Sequence, residues 1–422
     1  MVTYDIKAPR MLNADIMLPA SKSISNRALI IHALAGGDAL PQNLSDCNDT
    51  HVVLQALNTR PSVIDIGAAG TAMRFLTAYL AATNGTHTLT GSDRMKQRPI
   101  GILVDTLQKL GADISYLEQQ GYPPLLIKGH QLHGGSIEIP GHVSSQFISA
   151  LLLTAPVMTT GLELRLRGEI ISRPYIDLTL CTMKQFGADA DWTDTCTIRV
   201  NPVAYEEHPF LIENDWTAAS YWYETVALYA PGQASVCLHG LMDGSRQGDA
   251  IVKYIFSLLG VKTTFDTVAP GGPANVRLTR HEGCVDRLNY NFINCPDLAQ
   301  TIAVTCCAMG VLFRFDGLAS LKIKETDRLM ALQKELRKLG YVVEIENDNA
   351  LIWNGETCKP TSTTIDTYDD HRMAMAFAPL AVRKGSLQIN HPDVVTKSYP
   401  RFWNDMASAG FHISSNGKVL EG

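Results

Sequence analysis

The chain has 422 residues, 45% of them hydrophobic and 18% charged, with no low-complexity tract. That length exceeds one ordinary core and predicts two domains of about 200 residues each. Lys and Arg number 36 against 42 Asp and Glu, a formal charge of −6, which disfavours a general nucleic-acid binder.

The first residues, MVTYDIKAPRMLNADIML, lack the charged, apolar, small-residue order of a secretory signal. No apolar run approaches the roughly 18–20 residues needed to span a bilayer, so no membrane partner is expected. The longest runs, residues 148–158 and 301–315, are predicted to be buried helices. Nine cysteines without a CxxC pair predict reduced, mostly buried thiols and a cytoplasmic protein.

One pattern recurs along the chain: an amphipathic helix ends in an apolar residue and glycine, then a strand begins. It appears in LVDTLQKLGADISYL (103–117), DLTLCTMKQFGADADW (177–192), IVKYIFSLLGVKTTF (251–265), MALQKELRKLGYVVEI (330–345) and RFWNDMASAGFHI (401–413). The glycines, at 111, 187, 260, 340 and 410, are 76, 73, 80 and 70 residues apart. A weaker copy is THVVLQALN (50–58). Near-constant spacing predicts a duplicated α/β architecture of about six units, each of strands plus two helices.

Several helix starts carry polar or charged residues. PASKSISNRALIIHAL (19–34) opens an apolar helix with Ser21, Lys22 and Ser23, and Arg27 follows one turn on from Ser23. The N–H groups and dipole of such a start favour an anion. GAAGTAMRFL (67–76) places Gly70 and Thr71 at a second helix start. SDRMKQRPIG (92–101) sets Arg94, Lys96 and Arg98 before a third. HVSSQFISALLL (142–153) offers Ser144, Ser145 and Gln146, and ISRPYID (171–177) offers Ser172, Arg173 and Tyr175. Further on, CPDLAQTIAV (295–304) puts Asp297 at a helix start. IKETDRLMAL (323–332) groups Lys324, Glu325, Asp327 and Arg328. YDDHRMAMAFAPLA (368–381) sets Asp370, His371 and Arg372 ahead of a Met/Ala core helix, and TKSYPRF (396–402) adds Lys397. No nucleotide P-loop, HExxH, GxSxG or dinucleotide fingerprint is present. Together these helix starts predict a trap for a polyanionic ligand.

In this order, PASKSISNR, GAAGTAMR, MKQRPIG, SSQF, SRPYID, PDLAQTIA, IKETDRL, DDHRMAM and TKSYP resemble the signature segments of EPSP synthases, over residues 19–400. The resemblance implies the two-domain enolpyruvyl transferase fold, each domain three βαβαββ repeats in an inside-out α/β barrel. Residues 1–20 and 215–422 would form one domain and 21–214 the other, with the active site in the interdomain cleft. It implies transfer of enolpyruvyl from phosphoenolpyruvate (PEP) to shikimate 3-phosphate without metal or organic cofactor. It also implies inhibition by glyphosate, and a monomer is expected. Lys22, Ser23, Arg27, Ser144, Ser145, Gln146, Ser172, Tyr175, Asp297 and Lys324 correspond to shikimate 3-phosphate contacts. Lys22, Gly70, Arg98, Gln146, Arg328, Arg372 and Lys397 correspond to the PEP set. Asp297, Glu325 and Lys22 correspond to the catalytic groups.

The chain departs from the family pattern at Ala20 (usually Gly), Ala68 (Asn), Phe75 (Pro or Leu), Trp216 (Ser) and Ser320 (Asn). The rival readings are a transferase acting on UDP-N-acetylglucosamine and a non-catalytic relative. The first uses a loop cysteine near PEP, and no cysteine lies between Cys47 and Cys181 here.

Overall fold

Gly111, Gly187, Gly260, Gly340 and Gly410 all take positive φ, between 83° and 104°. This left-handed turn closes a helix and sends the chain back as a strand. In the computed structural model, which describes residues 2–267, 272–415 and 417–420, each of the five glycines sits inside a βαβαββ module. The chain divides into two units, Met1–Ala20 with Glu213–Gly422, and Ser21–Ile212. The second division falls two residues before the expected crossing. Asn214 is held by a bridge to Ala20 and by Gly240, and Glu213 bonds Trp216, Met242 and Ser245.

Strands β1 (Thr3–Lys7) and β2 (Leu12–Met17) belong to the first unit. The inserted unit begins with α1 (Lys22–Ala35) and α2 (Asn48–Thr59). Its first full module is β3 (Val63–Asp65), α3 (Gly70–Ala82), β4 (Gly85–Thr90), the short α4 (Asp93–Lys96), α5 (Gly101–Lys109), β5 (Asp113–Tyr116) and β6 (Leu125–Gly129). The second is β7 (Gly135–Pro140), α6 (Ser145–Thr154), β8 (Leu162–Arg167), α7 (Arg173–Gln185), β9 (Ala190–Trp192) and β10 (Thr197–Val200). In both sheets the first two strands are parallel and the fourth lies between the second and third. The remaining copy keeps α1 and α2, but among the described residues its strands shrink to the bridge Gln42–Leu211. Pro41, Pro202 and Pro209 flank that bridge, and proline cannot donate to a ladder.

The first unit resumes with α8 (Trp216–Leu228), β11 (Ala234–Leu241), α9 (Val252–Leu258), β12 (Val261–Thr267) and β13 (Ala274–Arg280). Here β2 supplies the missing first strand, parallel to β11. The next module is β14 (Arg287–Asn291), α10 (Ala299–Met309), β15 (Leu312–Asp316), α11 (Arg328–Lys338), β16 (Glu344–Glu346) and β17 (Ala350–Trp353). The last is β18 (Thr364–Ile365), α12 (His371–Phe377), α13 (Ala381–Lys384), β19 (Leu387–Asn390), α14 (Phe402–Ser408) and β20 (His412–Ser415), extended by β21 (Lys418–Val419). In this sheet β1 takes the fourth place, between β19 and β20.

Each unit buries its own core. Leu76, Tyr79 and Leu151 are central in the inserted unit, and Trp222, Phe256 and Leu332 in the other. The apolar run 301–315 is not one helix. Gly310 (φ 75°) ends α10, and the remainder is β15. Run 148–158 likewise leaves α6 at Thr154 for a 3-10 turn containing Pro156.

Candidate functional site

In the inserted unit the candidate residues lie at the starts of α1, α3, α6 and α7 and just before α5. Lys22, the first residue of α1, donates to Asp49 Oδ2 at 3.2 Å. Arg27, one turn on, is buried. Its Nε donates to Thr179 Oγ1 (2.7 Å), Nη1 to the Ser23 carbonyl (2.8 Å), and Nη2 to Ser149 Oγ (3.1 Å) and the Tyr175 carbonyl (3.3 Å). The guanidinium also lies over the Phe75 ring, 5.4 Å from its centre. Burial lowers Arg27 to about 10, against an opposing effect of Tyr175. Arg27 therefore ties α1 to α6 and α7, a use not visible from its place in the motif.

Gly70 opens α3 and packs on Arg98, so that a Cβ there would stand 2.5 Å from Arg98 Nη1. Arg98 is 8% exposed, and among the described residues its Nε has no hydrogen-bond partner. A buried cation with an open donor is suited to an anion. Gln146 Nε2 donates to Thr71 Oγ1 at 3.1 Å, and Ser144 caps α6 by accepting from the Gln146 N–H. Ser145 and Ser23 are half-buried in the first turns of α6 and α1. Ser172 precedes α7 at φ 53°, and its carbonyl accepts from the Tyr175 N–H.

In the other unit one network joins the starts of α10, α11 and α12 with the turn before α14. Asp297 Oδ1 accepts from Arg328 Nη1 (2.9 Å) and lies 3.5 Å from Lys324 Nζ; its Oδ2 accepts from Arg372 Nη2 (2.9 Å). Glu325 accepts from Arg328 Nη2 (2.8 Å) and Lys397 Nζ (2.7 Å). Asp370, fully buried, takes Arg328 Nε at 2.6 Å and Nη2 at 3.3 Å while capping α12 through the Arg372 N–H. Asp327 caps α11 through the Met330 N–H.

The network sets four cations, Lys324, Arg328, Arg372 and Lys397, against three carboxylates. Burial pushes Asp297 up, but Arg372, Lys324 and Arg328 outweigh it and hold it well below the usual carboxylate range. Burial also lowers Lys324, despite the opposing pull of Asp297. Nearby Asp249 is pushed up to about 6 by burial and then by Asp297, although the Thr217 hydroxyl donates to it.

The sequence motifs missed four partners. Asp370 stood within DDHR without an assigned role. Thr71 stood at the start of α3 but not as the acceptor for Gln146, and Asp49, which pairs Lys22, and Tyr221, 3.4 Å from Arg372 Nη1, had no local signal. Of the departures, Phe75 supplies the ring beneath Arg27. Trp216 is fully buried and donates its indole N–H to Glu213 at 2.8 Å. Ala20 bridges Asn214, and Ala68 is exposed ahead of α3. Nothing in the structure explains Ser320.

The repeated modules and charged helix starts define an enolpyruvyl transferase fold. The solved enolpyruvyl transferase NikO from Streptomyces tendae superposes with a TM-score of 0.71 at 13% identity, over 99% of each chain. EPSP synthase from Acinetobacter baumannii superposes at 0.78 and 20% identity, over 98% of this chain and 100% of that one. The family described as EPSP synthase (3-phosphoshikimate 1-carboxyvinyltransferase) matches residues 6–60 and 55–406. The 3-phosphoshikimate 1-carboxyvinyltransferase of Bacteroides fragilis (strain ATCC 25285) is 54% identical, over 97% of this chain and 98% of its own. That of Sulfurovum sp. (strain NBC37-1) is 36% identical, over 97% and 99%. The chain belongs to the EPSP synthase family. Among the described residues, no helix is long and apolar enough to cross a membrane.

Proposed function

We propose that this enzyme transfers the enolpyruvyl group of PEP to the 5-hydroxyl of shikimate 3-phosphate, giving 5-enolpyruvylshikimate 3-phosphate and phosphate. The observation that carries the reading is Asp297, a carboxylate gripped by three cations, in a chain 54% identical to a relative bearing that reaction's name. Both sets of helix starts serve the same substrates in this reading. Lys22, Ser23, Arg27, Ser144, Ser145, Gln146, Ser172, Tyr175, Asp297 and Lys324 hold shikimate 3-phosphate. Lys22, Gly70, Arg98, Gln146, Arg328, Arg372 and Lys397 hold PEP. Planar guanidinium groups suit its phosphate and carboxylate.

The hydroxyl oxygen bonds to C2 of PEP, its proton leaves to Asp297, and C3 gains a proton from Glu325, with Lys22 beside the reacting centre. The tetrahedral ketal then returns a C3 proton to Glu325 as the C2–O bond to phosphate breaks, and the departing phosphate takes the proton held by Asp297. In the free protein Asp297 is a weak base because its three cations stabilise the carboxylate. PEP would draw Arg328 and Arg372 toward its own charges, and Asp297 would gain basicity as they leave.

Phosphate release measured with both substrates, each alone, and UDP-N-acetylglucosamine as acceptor tests the reaction. Release is expected only with PEP and shikimate 3-phosphate together. Release only with UDP-N-acetylglucosamine, or none at all, would overturn it. Asp297→Asn should lower turnover by roughly 10²- to 10⁴-fold, the range of acid–base catalysis. Glyphosate inhibition, a monomeric state and a cytoplasmic location belong to the same proposal. The location is supported by nine free cysteines, four of them fully or partly exposed.

A further inference from the structure

We propose that the outer face of the sheet formed by β12, β13, β11 and β2 carries a transition-metal site, suited to zinc, made of Asp15, Cys237 and His239. Strand alternation turns Leu12, Ile16, Val236, Leu238 and Val276 into the core, so Asp15, Cys237, His239 and Asn275 share the opposite face. The register fixes them there. Parallel pairing sets Asp15 opposite Cys237, and antiparallel pairing sets His239 opposite Asn275. One ligand atom from each of Asp15, Cys237 and His239 lies within 4.8 Å of the other two.

The histidine is already oriented for the task. Its Nδ1 lies 2.6 Å from Asn275 Oδ1. An amide oxygen accepts, so Nδ1 donates to it. Nε2 contacts the Asp15 carboxylate, which also accepts, so without an ion both ring nitrogens carry protons and a metal would take the place of the Nε2 proton. Metal-bound histidines are commonly braced in this way. An Asp–His ion pair on a strand surface requires neither this brace nor a thiol at the same point.

Mixed oxygen, nitrogen and sulfur donors select zinc or a similar ion over calcium or magnesium, which prefer oxygen alone. Three protein ligands leave a fourth tetrahedral position for water. The Asp15 side chain is 74% exposed, which gives the ion access. Binding would convert the Cys237 thiol to thiolate, its proton passing to buffer. A bound ion would clip β2 to β11 beside Ala20, where the first unit gives way to the second.

The test is Co²⁺ titration of the intact, chelator-treated chain, because a thiolate ligand gives Co²⁺ an intense near-ultraviolet band. One Co²⁺ per chain should bind with that band, and zinc should displace it and raise the melting temperature. Cys237→Ser should abolish the band. Asn275→Ala should weaken binding by about 10- to 100-fold. Asp15→Asn alters only an exposed side chain, so the fold survives, and it should weaken binding at least about ten-fold by the loss of one ligand. A full band in Cys237→Ser, wild-type affinity in Asp15→Asn, or no stoichiometric binding would overturn the proposal.

Discussion

Gly70 and Arg98 fit together so closely that a methyl group on Gly70 would stand 2.5 Å from one guanidinium nitrogen and 3.0 Å from the other. The neighbour is the far end of a flexible side chain, so Gly70→Ala should leave the melting temperature nearly unchanged while moving Arg98. If Arg98 binds PEP, KM for PEP should rise, with losses up to the roughly 2–5 kcal/mol of a truncated charge-assisted contact. Glyphosate inhibition should weaken in the same variant. Steady-state kinetics at varied PEP checks both. An unchanged KM would remove Arg98 from the PEP site.

Arg27 should behave first as a brace. Arg27→Lys gives up several of the guanidinium's hydrogen bonds to Thr179, Ser149 and two carbonyls, each worth about 1.5–3 kcal/mol as a bond to a charged group. Phe75→Leu removes the ring beneath the guanidinium and should cost roughly 0.5–2 kcal/mol of cation–π contact. Urea unfolding measures both. Phe75→Pro would remove the same ring and also one backbone N–H donor inside α3.

The five glycine turns and their modules were readable in the sequence because each rests on local chemistry: helical apolar spacing, then a residue free to take positive φ. The charged helix starts were readable for the same reason. The place of β1 was not, since it pairs with residues near 389 and 413 and nothing in TYDIK names its neighbours. Nor was the inward use of Arg27, which depends on Ser149 and Thr179 from other helices. Asp370 was visible ahead of the Met/Ala helix but not as the clamp on Arg328, which requires two segments 42 residues apart.

Asp249 makes stability depend on pH in the mildly acidic range. Its folded pKa of about 6 lies above the ordinary 3.8, so the fold favours its neutral form. That contribution is full below about pH 4 and is lost as pH rises through about 6. Asp249→Asn cannot ionise. Its stability relative to wild type should therefore grow by about 2 kcal/mol between pH 4 and pH 7. Denaturant titrations at the two pH values check this, and a flat difference would contradict it.

Asp297 works in the opposite sense and a lower window. Its folded pKa lies well below the ordinary 3.8, so its stabilising effect is present above that value and falls away as acid protonates it. The cost of Asp297→Asn should be constant above about pH 5 and shrink below about pH 4. Thermal melts of both proteins across that range would show it.

β1 completes a sheet whose other strands lie within residues 364–419, and this orders the chain's birth on the ribosome. β1 and β2 emerge first but wait for partners made later, β11 for β2 and β19 and β20 for β1. Until then Ile6, Leu12 and Ile16 have nowhere to be buried. The stretch Ser21–Ile212 holds all of its own strands and core, so it is free to fold during synthesis. A chain that stalls before β19 leaves β1 and its core-facing Ile6 uncovered. For the growing polypeptide, the greatest exposure to chaperones and proteases falls in the second half of translation.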